Sequence, residues 1–228
     1  MTRNLHRASL CVLLLAPTAC RAGGVDVALA GRHTVYWEPA DAASEKQPLL
    51  LFSHGYGGCA TQSKFLTEAL AKDGFWVFAP DHRDARCGHA INESGEFSLR
   101  TVRTPEKWSD ATFSDRRDNL LDLVRALRTD PRFSGRIDFS RIGLVGHSFG
   151  SYEQANAPKY YLELAGAGHF AWTDLNHRFA ASVFAYSTAF LDHYVKGDPA
   201  SADLTGLRRD VSRLLYDSEL GRRDTASR

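Results

Sequence analysis

Ser148 stands in Gly146-His147-Ser148-Phe149-Gly150, directly after the apolar run Ile142, Leu144 and Val145. The pentapeptide fits G-x-S-x-G, the sharp strand-to-helix turn that raises a serine hydroxyl for nucleophilic attack. Glycine two residues to either side suits a turn too tight for side chains. A serine that attacks a carbonyl also needs a place for the negative charge that forms. A second glycine-rich turn, His54-Gly55-Tyr56-Gly57-Gly58, follows the apolar segment Pro48–Ser53. The backbone N–H groups of Tyr56 and of Phe149, the residue after the serine, are the candidate oxyanion donors.

Around these turns the sequence sets out elements that would position them. Expected strands cover His33–Trp37, Pro48–Ser53, Phe75–Ala79, the run ending at Val145, and Lys159–Leu164. Expected helices cover Gln62–Ala71, with Phe65, Leu66 and Ala69 at helical spacing, and Asp115–Leu127, with Leu120, Leu121, Val124 and Leu127 on one face. His177–Val195 and Leu204–Tyr216 read as two more helices. Ile91–Thr112 is polar and irregular, and the chain after Glu219 reads as a loose tail. Strand, helix, strand over residues 48–79 implies a parallel crossover. A last glycine-rich loop, Ala165-Gly166-Ala167-Gly168-His169-Phe170, carries a histidine.

The chain of 228 residues is long enough for one domain with a sizeable core. Its 43% hydrophobic and 24% charged content is that of a globular protein. A net charge of +1 gives no electrostatic case for binding nucleic acid or an anionic membrane surface. Six lysines among 28 basic residues are read as codon bias. The Cys and His residues of Asp81–His89 match no usual zinc spacing, so no metal and no cofactor is expected.

Residues 1–22 read as an export signal: Arg3, His6 and Arg7 precede a short apolar run, Ala8–Ala16, and small residues follow. Cys20 after Ala19 resembles a bacterial lipoprotein attachment site, although Pro17 departs from that pattern. Membrane association is expected only through such an anchor at Cys20, in a protein that is exported and periplasmic, secreted or lipid-anchored. Removing the leader leaves Cys59 and Cys87, which an oxidising compartment allows to bond. Two free buried thiols are the alternative.

Four motifs in order, Ser53-His54-Gly55-Tyr56-Gly57, Ala79-Pro80-Asp81-His82, Gly146-His147-Ser148-Phe149-Gly150 and Gly166-Ala167-Gly168-His169-Phe170, resemble the α/β-hydrolase superfamily. Within it the chain is similar to bacterial dienelactone-hydrolase-like esterases, neighbours of the platelet-activating-factor acetylhydrolases and polyester-degrading cutinases. The resemblance spans about residues 33–200. It implies a single domain, 33–218, with a mostly parallel sheet flanked by helices. It also implies a serine ester hydrolase acting on a small-molecule or lipid-like ester, with Ser148 as nucleophile and His169 as general base. His54, His82 and His147 are rivals by residue type; His54 and His147 more often support the two turns in this family. Tyr56, Phe149, Phe170 and Trp172 would form an aromatic rim. A non-catalytic binding or scaffold protein, and an acyltransferase or thioesterase on the same residues, are the alternatives.

One departure from the family is large. Relatives place two more strands, and the aspartate that orients the histidine, between the serine turn and the histidine loop. Here only Ser151–Pro158 separate Gly150 from Lys159. Eight residues cover about 12 Å as a helix, against about 20 Å for the descent past a six-residue strand, and a parallel crossover takes roughly a dozen residues. The expectation is an internally deleted fold lacking two strands. Neither Asp174 nor Asp81 is a convincing acid, so the catalytic set would be incomplete.

Overall fold

A computed structural model describes residues 23–41, 45–87, 110–148, 150, 159–199, 206 and 208–217. The expected leader 1–22, most of the Ile91–Thr112 segment, Phe149, Ser151–Pro158 and the tail after Glu219 lie outside the described residues. Five strands form one mixed sheet: β1 (Val25–Leu29), β2 (Arg32–Trp37), β3 (Gln47–Ser53), β4 (Trp76–Pro80) and β5 (Ile137–Gly146), in the spatial order β1-β2-β4-β3-β5. β3 is parallel to β4 and to β5, while β1, β2 and β4 pair antiparallel. Helices α1 (Lys64–Lys72), α2 (Asp110–Thr129) and α3 (Ala180–Leu191) flank it, and α3 runs on into a π-helical turn, Asp192–Lys196.

The central strands are apolar throughout because both their faces are covered. Along β3, Leu50 and Phe52 point to one face and pack with Val77, Leu66, Leu70, Phe179 and Val183. Leu49 and Leu51 point to the other, with Trp76, Phe78, Leu120, Leu123 and Leu127. This period of two splits one continuous apolar run into two cores. α1 and α3 cover the first and α2 the second. On α2 the inward set is Leu120, Leu123 and Leu127, whereas Leu121, expected on the buried face, is 46% exposed. The helix is also longer than its apolar run, because backbone hydrogen bonding extends beyond the residues that pack.

β5 is an edge strand of the main sheet among the described residues: it pairs with β3 and its residues alternate in exposure. Ile142 and Leu144 on it are each 39% exposed. The expected strand Lys159–Leu164, β6, is present but belongs to a second sheet, paired antiparallel with β7 (Val211–Asp217). β7 corrects the expectation of a helix over Leu204–Tyr216. Its leucines sit at helical spacing. Yet β6 lies outside the main sheet, and its backbone N–H and C=O groups need a partner strand. Tertiary pairing overrides a weak local preference. β7 is tied to α3 by Ser182 Oγ, which donates to Asp210 Oδ1 at 2.8 Å just before the strand.

β1 is a strand that the sequence reading did not include, and it pairs with β2 at the edge of the sheet.

Candidate active site

β5 delivers the serine turn to the end of β3. Ser148 has φ +54°, in the left-handed region that non-glycine residues rarely adopt. Strain of this kind persists only where surroundings over-determine it. Here His147 N–H donates to Ser53 O at 3.1 Å, and Gly150 N–H donates to His147 O at 2.9 Å. A Cβ on Gly150 would collide with the Ser53 carbonyl, so the turn closes against β3 only with glycine there.

The His54–Gly58 turn is held from several sides. Gly55 N–H donates to Gln62 Oε1 at 2.9 Å, Gly57 N–H to Asp84 Oδ2 at 3.0 Å, and Gly58 N–H to Gly55 O at 2.9 Å. Arg116, on α2 and almost fully buried, donates from one nitrogen, Nη2, to both carboxylate oxygens of Asp84 at 2.8 Å each. It also donates to the His54 carbonyl at 2.5 Å. Arg86 reaches the Tyr56 hydroxyl at 3.3 Å. Cys59 and Cys87 are joined by a disulfide with Cα atoms 5.8 Å apart, linking the loop after β3 to the loop after β4.

The four histidines divide by their bonds. His54 Nδ1 donates to Gly55 O at 2.7 Å, and its Nε2 accepts from His82 N–H at 3.0 Å. His82 lies 2.9 Å from Ser53 Oγ and 3.2 Å from Asn119 Oδ1. Burial, aided by the Arg116 charge, pushes His54 down to about 4 and His82 well below the ordinary histidine range. Both are neutral and tie the end of β3 to the loop after β4. His147 is also pushed down by burial, and both its ring nitrogens are engaged: Nδ1 lies 2.6 Å from Gln62 Nε2, and Nε2 donates to the His169 carbonyl at 2.9 Å. His169 opens a 3₁₀ turn, His169–Trp172, and is exposed, with its ring centroid 5.0 Å from that of His147.

His147 precedes Ser148 in sequence and bonds the His169 backbone carbonyl, so it links the serine turn to the histidine loop. Phe149, the second oxyanion candidate, lies outside the described residues. Tyr56 is half-buried, Trp172 half-buried and Phe170 exposed.

No carboxylate among the described residues hydrogen-bonds the His169 ring. Asp174 instead accepts from Lys64 N–H at 2.8 Å and Phe65 N–H at 2.9 Å, capping α1. Asp81 accepts from Ala60 N–H at 2.7 Å and pairs with His33 Nδ1 at 2.8 Å. Gln62 and Arg116 are the site residues that sequence reasoning missed. Gln62 opens the expected first helix and nothing local marks it, whereas Arg116 lies on the inward face of the second, one turn before Leu120, so a charge in phase with the apolar stripe was the signal available. Among the described residues no group of three His, Cys, Asp or Glu side chains is placed to hold a metal, and no helix is long and apolar enough to cross a membrane.

The solved ferulic acid esterase from Streptomyces cinnamoneus superposes with a TM-score of 0.56 over 76% of this chain and 74% of that one, at 19% identity. The fold is an α/β-hydrolase fold. Among the described residues it has fewer strands and helices than the full form. The family model of platelet-activating factor acetylhydrolase, isoform II, matches residues 27–95. That match runs from within β1 to beyond β4 and includes the His54–Gly58 turn, and it ends before Ser148 and His169.

Proposed function

We propose that this chain is a serine carboxylic-ester hydrolase working through an acyl-serine, in a form weakened by the lack, among the described residues, of an acid on its histidine. The observation that carries the reading is the left-handed backbone of Ser148 at the end of β5, the strained turn that an exposed serine nucleophile needs. In the reaction, Ser148 Oγ bonds to the ester carbonyl carbon while His169 takes the hydroxyl proton. The carbonyl oxygen becomes an oxyanion received by the Tyr56 and Phe149 N–H groups. The C–O bond to the alcohol breaks, and His169 returns the proton to the leaving oxygen. Water then cleaves the acyl-serine by the same steps in reverse order.

The esterase families matched by sequence model and by fold support a small ester substrate. Tyr56, Phe170 and Trp172 favour apolar acyl or aryl groups, including lipid-like ones. The disulfide fits an oxidising compartment, in keeping with residues 1–22 as an export signal and Cys20 as a possible acylation point.

The second reading, a catalytically inactive binding or scaffold protein, is favoured by one observation: Asp174, the carboxylate nearest in sequence to His169, is used as a helix cap. Fluorophosphonate labelling separates the two, with p-nitrophenyl ester hydrolysis alongside. Labelling at Ser148, with slow turnover, is the expected result. Folded protein whose Ser148 is never labelled would defeat the esterase reading in favour of the binding protein.

A further inference from the structure

Gln62 touches three separate parts of the chain. Its Oε1 accepts from Gly55 N–H at 2.9 Å, its Nε2 lies 2.6 Å from His147 Nδ1, and its backbone carbonyl accepts from Asp174 N–H at 3.2 Å. A side-chain amide has one accepting end and one donating end, and the bond to Gly55 settles which is which. Nε2 therefore donates, and His147 Nδ1 is the unprotonated ring nitrogen. The ring proton sits on Nε2, which donates to the His169 carbonyl at 2.9 Å. Gly55, Gln62, His147 and His169 are thus joined in one continuous polar sequence.

The rest of the fold makes this sequence matter. His169 follows β6, and β6 belongs to the two-stranded sheet and not to the sheet that carries Ser148. Among the described residues no shared sheet sets the distance between the two residues. The segment Gln62–Phe65 holds the histidine loop instead. Ser63 Oγ donates to the Trp172 carbonyl at 2.6 Å, and the Lys64 and Phe65 N–H groups hold the Asp174 carboxylate.

We propose that Gln62 is a positioning residue: it sets the tautomer of His147 and through it seats the His169 loop beside the serine turn, while its other end holds Gly55. The catalytic meaning of this rests on the roles proposed above for Ser148 and His169; the tautomer and the docking of the loop do not.

The test uses the full, oxidised chain labelled with ¹⁵N-histidine. In the native protein the His147 ring should carry its proton on Nε2. Gln62→Met, similar in length but unable to bond, should erase that preference and speed amide exchange across residues 169–174 about fivefold, as expected for a lost hydrogen bond of about 1 kcal/mol. Gln62→Glu keeps the acceptor for Gly55 but turns a carboxylate toward Nδ1, so it should add a proton there and leave loop exchange near native. General loss of stability would not move the two variants in these different ways. With the fluorophosphonate, Gln62→Met should lower the limiting rate of Ser148 labelling without changing half-saturation. A native His147 protonated on Nδ1, or loop exchange unchanged by Gln62→Met, overturns the proposal. The expected ring and exchange responses without any Ser148 labelling would support the positioning role and count against the esterase reading instead.

Discussion

The carboxylate of Asp174 caps α1 across more than a hundred residues, accepting from Lys64 N–H at 2.8 Å. It also receives the Phe65 N–H, and the N-cap residue Ser63 makes no side-chain cap of its own. An external carboxylate thus does the work of a local cap and ties the histidine loop to the helix.

Asp174→Ala is therefore expected to cost about 1 kcal/mol of stability, the usual value of a helix cap. If Asp174 oriented His169, its loss would instead lower kcat by about 10⁴. Urea unfolding beside p-nitrophenyl acetate hydrolysis separates the two: a fall in kcat of that size with unchanged stability would show Asp174 to be the acid.

The Arg116–Asp84 pair stands behind the His54–Gly58 turn, with the Arg116 side chain only 3% exposed. Asp84→Ala would leave that guanidinium buried without its partner and should destabilise the protein by about 3–5 kcal/mol. It also releases the Gly57 N–H. A chemical-denaturation midpoint close to the native value would show that Arg116 finds another counter-charge.

Reduction of Cys59–Cys87 opens a crosslink spanning 28 residues. The chain-entropy relation puts the loss at about 3.5 kcal/mol. Guanidinium unfolding with and without a thiol reductant measures it, and coincident curves would remove the disulfide from the list of stabilising features.

The pH dependence has a defined sign. His54 and His82 are held neutral by burial, His54 down to about 4 and His82 well below the ordinary value. Below about pH 6.5 the unfolded chain binds protons that the native protein refuses, so stability falls as pH drops. Each such histidine contributes a slope of about 1.4 kcal/mol per pH unit, ending for His54 near pH 4. Thermal unfolding between pH 7.5 and 4.5 checks this, and a flat profile would mean that one ring takes up its proton in the native state.

Ile142 and Leu144 lie half-open on β5, the edge of the main sheet among the described residues. Edge strands with apolar side chains invite pairing between chains. Ile142→Lys with Leu144→Lys should change the unfolding free energy by only about 0.5 kcal/mol per site while lowering light scattering at high protein concentration. A large loss of stability would instead mean that both side chains are covered.

Local residue types and spacings were enough for the serine turn, the glycine turn after β3, the parallel β3–α1–β4 unit and the order of the motifs. Each of these is written in a short window: an apolar run buried on both faces, then glycines where the backbone must approach closely. The mismatch between Gly150 and Lys159 was also legible, because counting residues against strand length needs no coordinates. Other features were decided only by tertiary structure. Leu204–Tyr216 has leucines at helical spacing, yet Val211–Asp217 is a strand because β6, cut off from the main sheet, needs a partner for its backbone. Asp174 looks like a poor triad acid in sequence, and the structure makes it a cap because it folds back onto Lys64 and Phe65. Gln62, an ordinary polar residue at the start of a helix, joins Gly55, His147 and Asp174 because those positions, far apart along the chain, converge where β3, β5 and the histidine loop end. No local pattern encodes that convergence; it exists only once the sheet has brought the strand ends together.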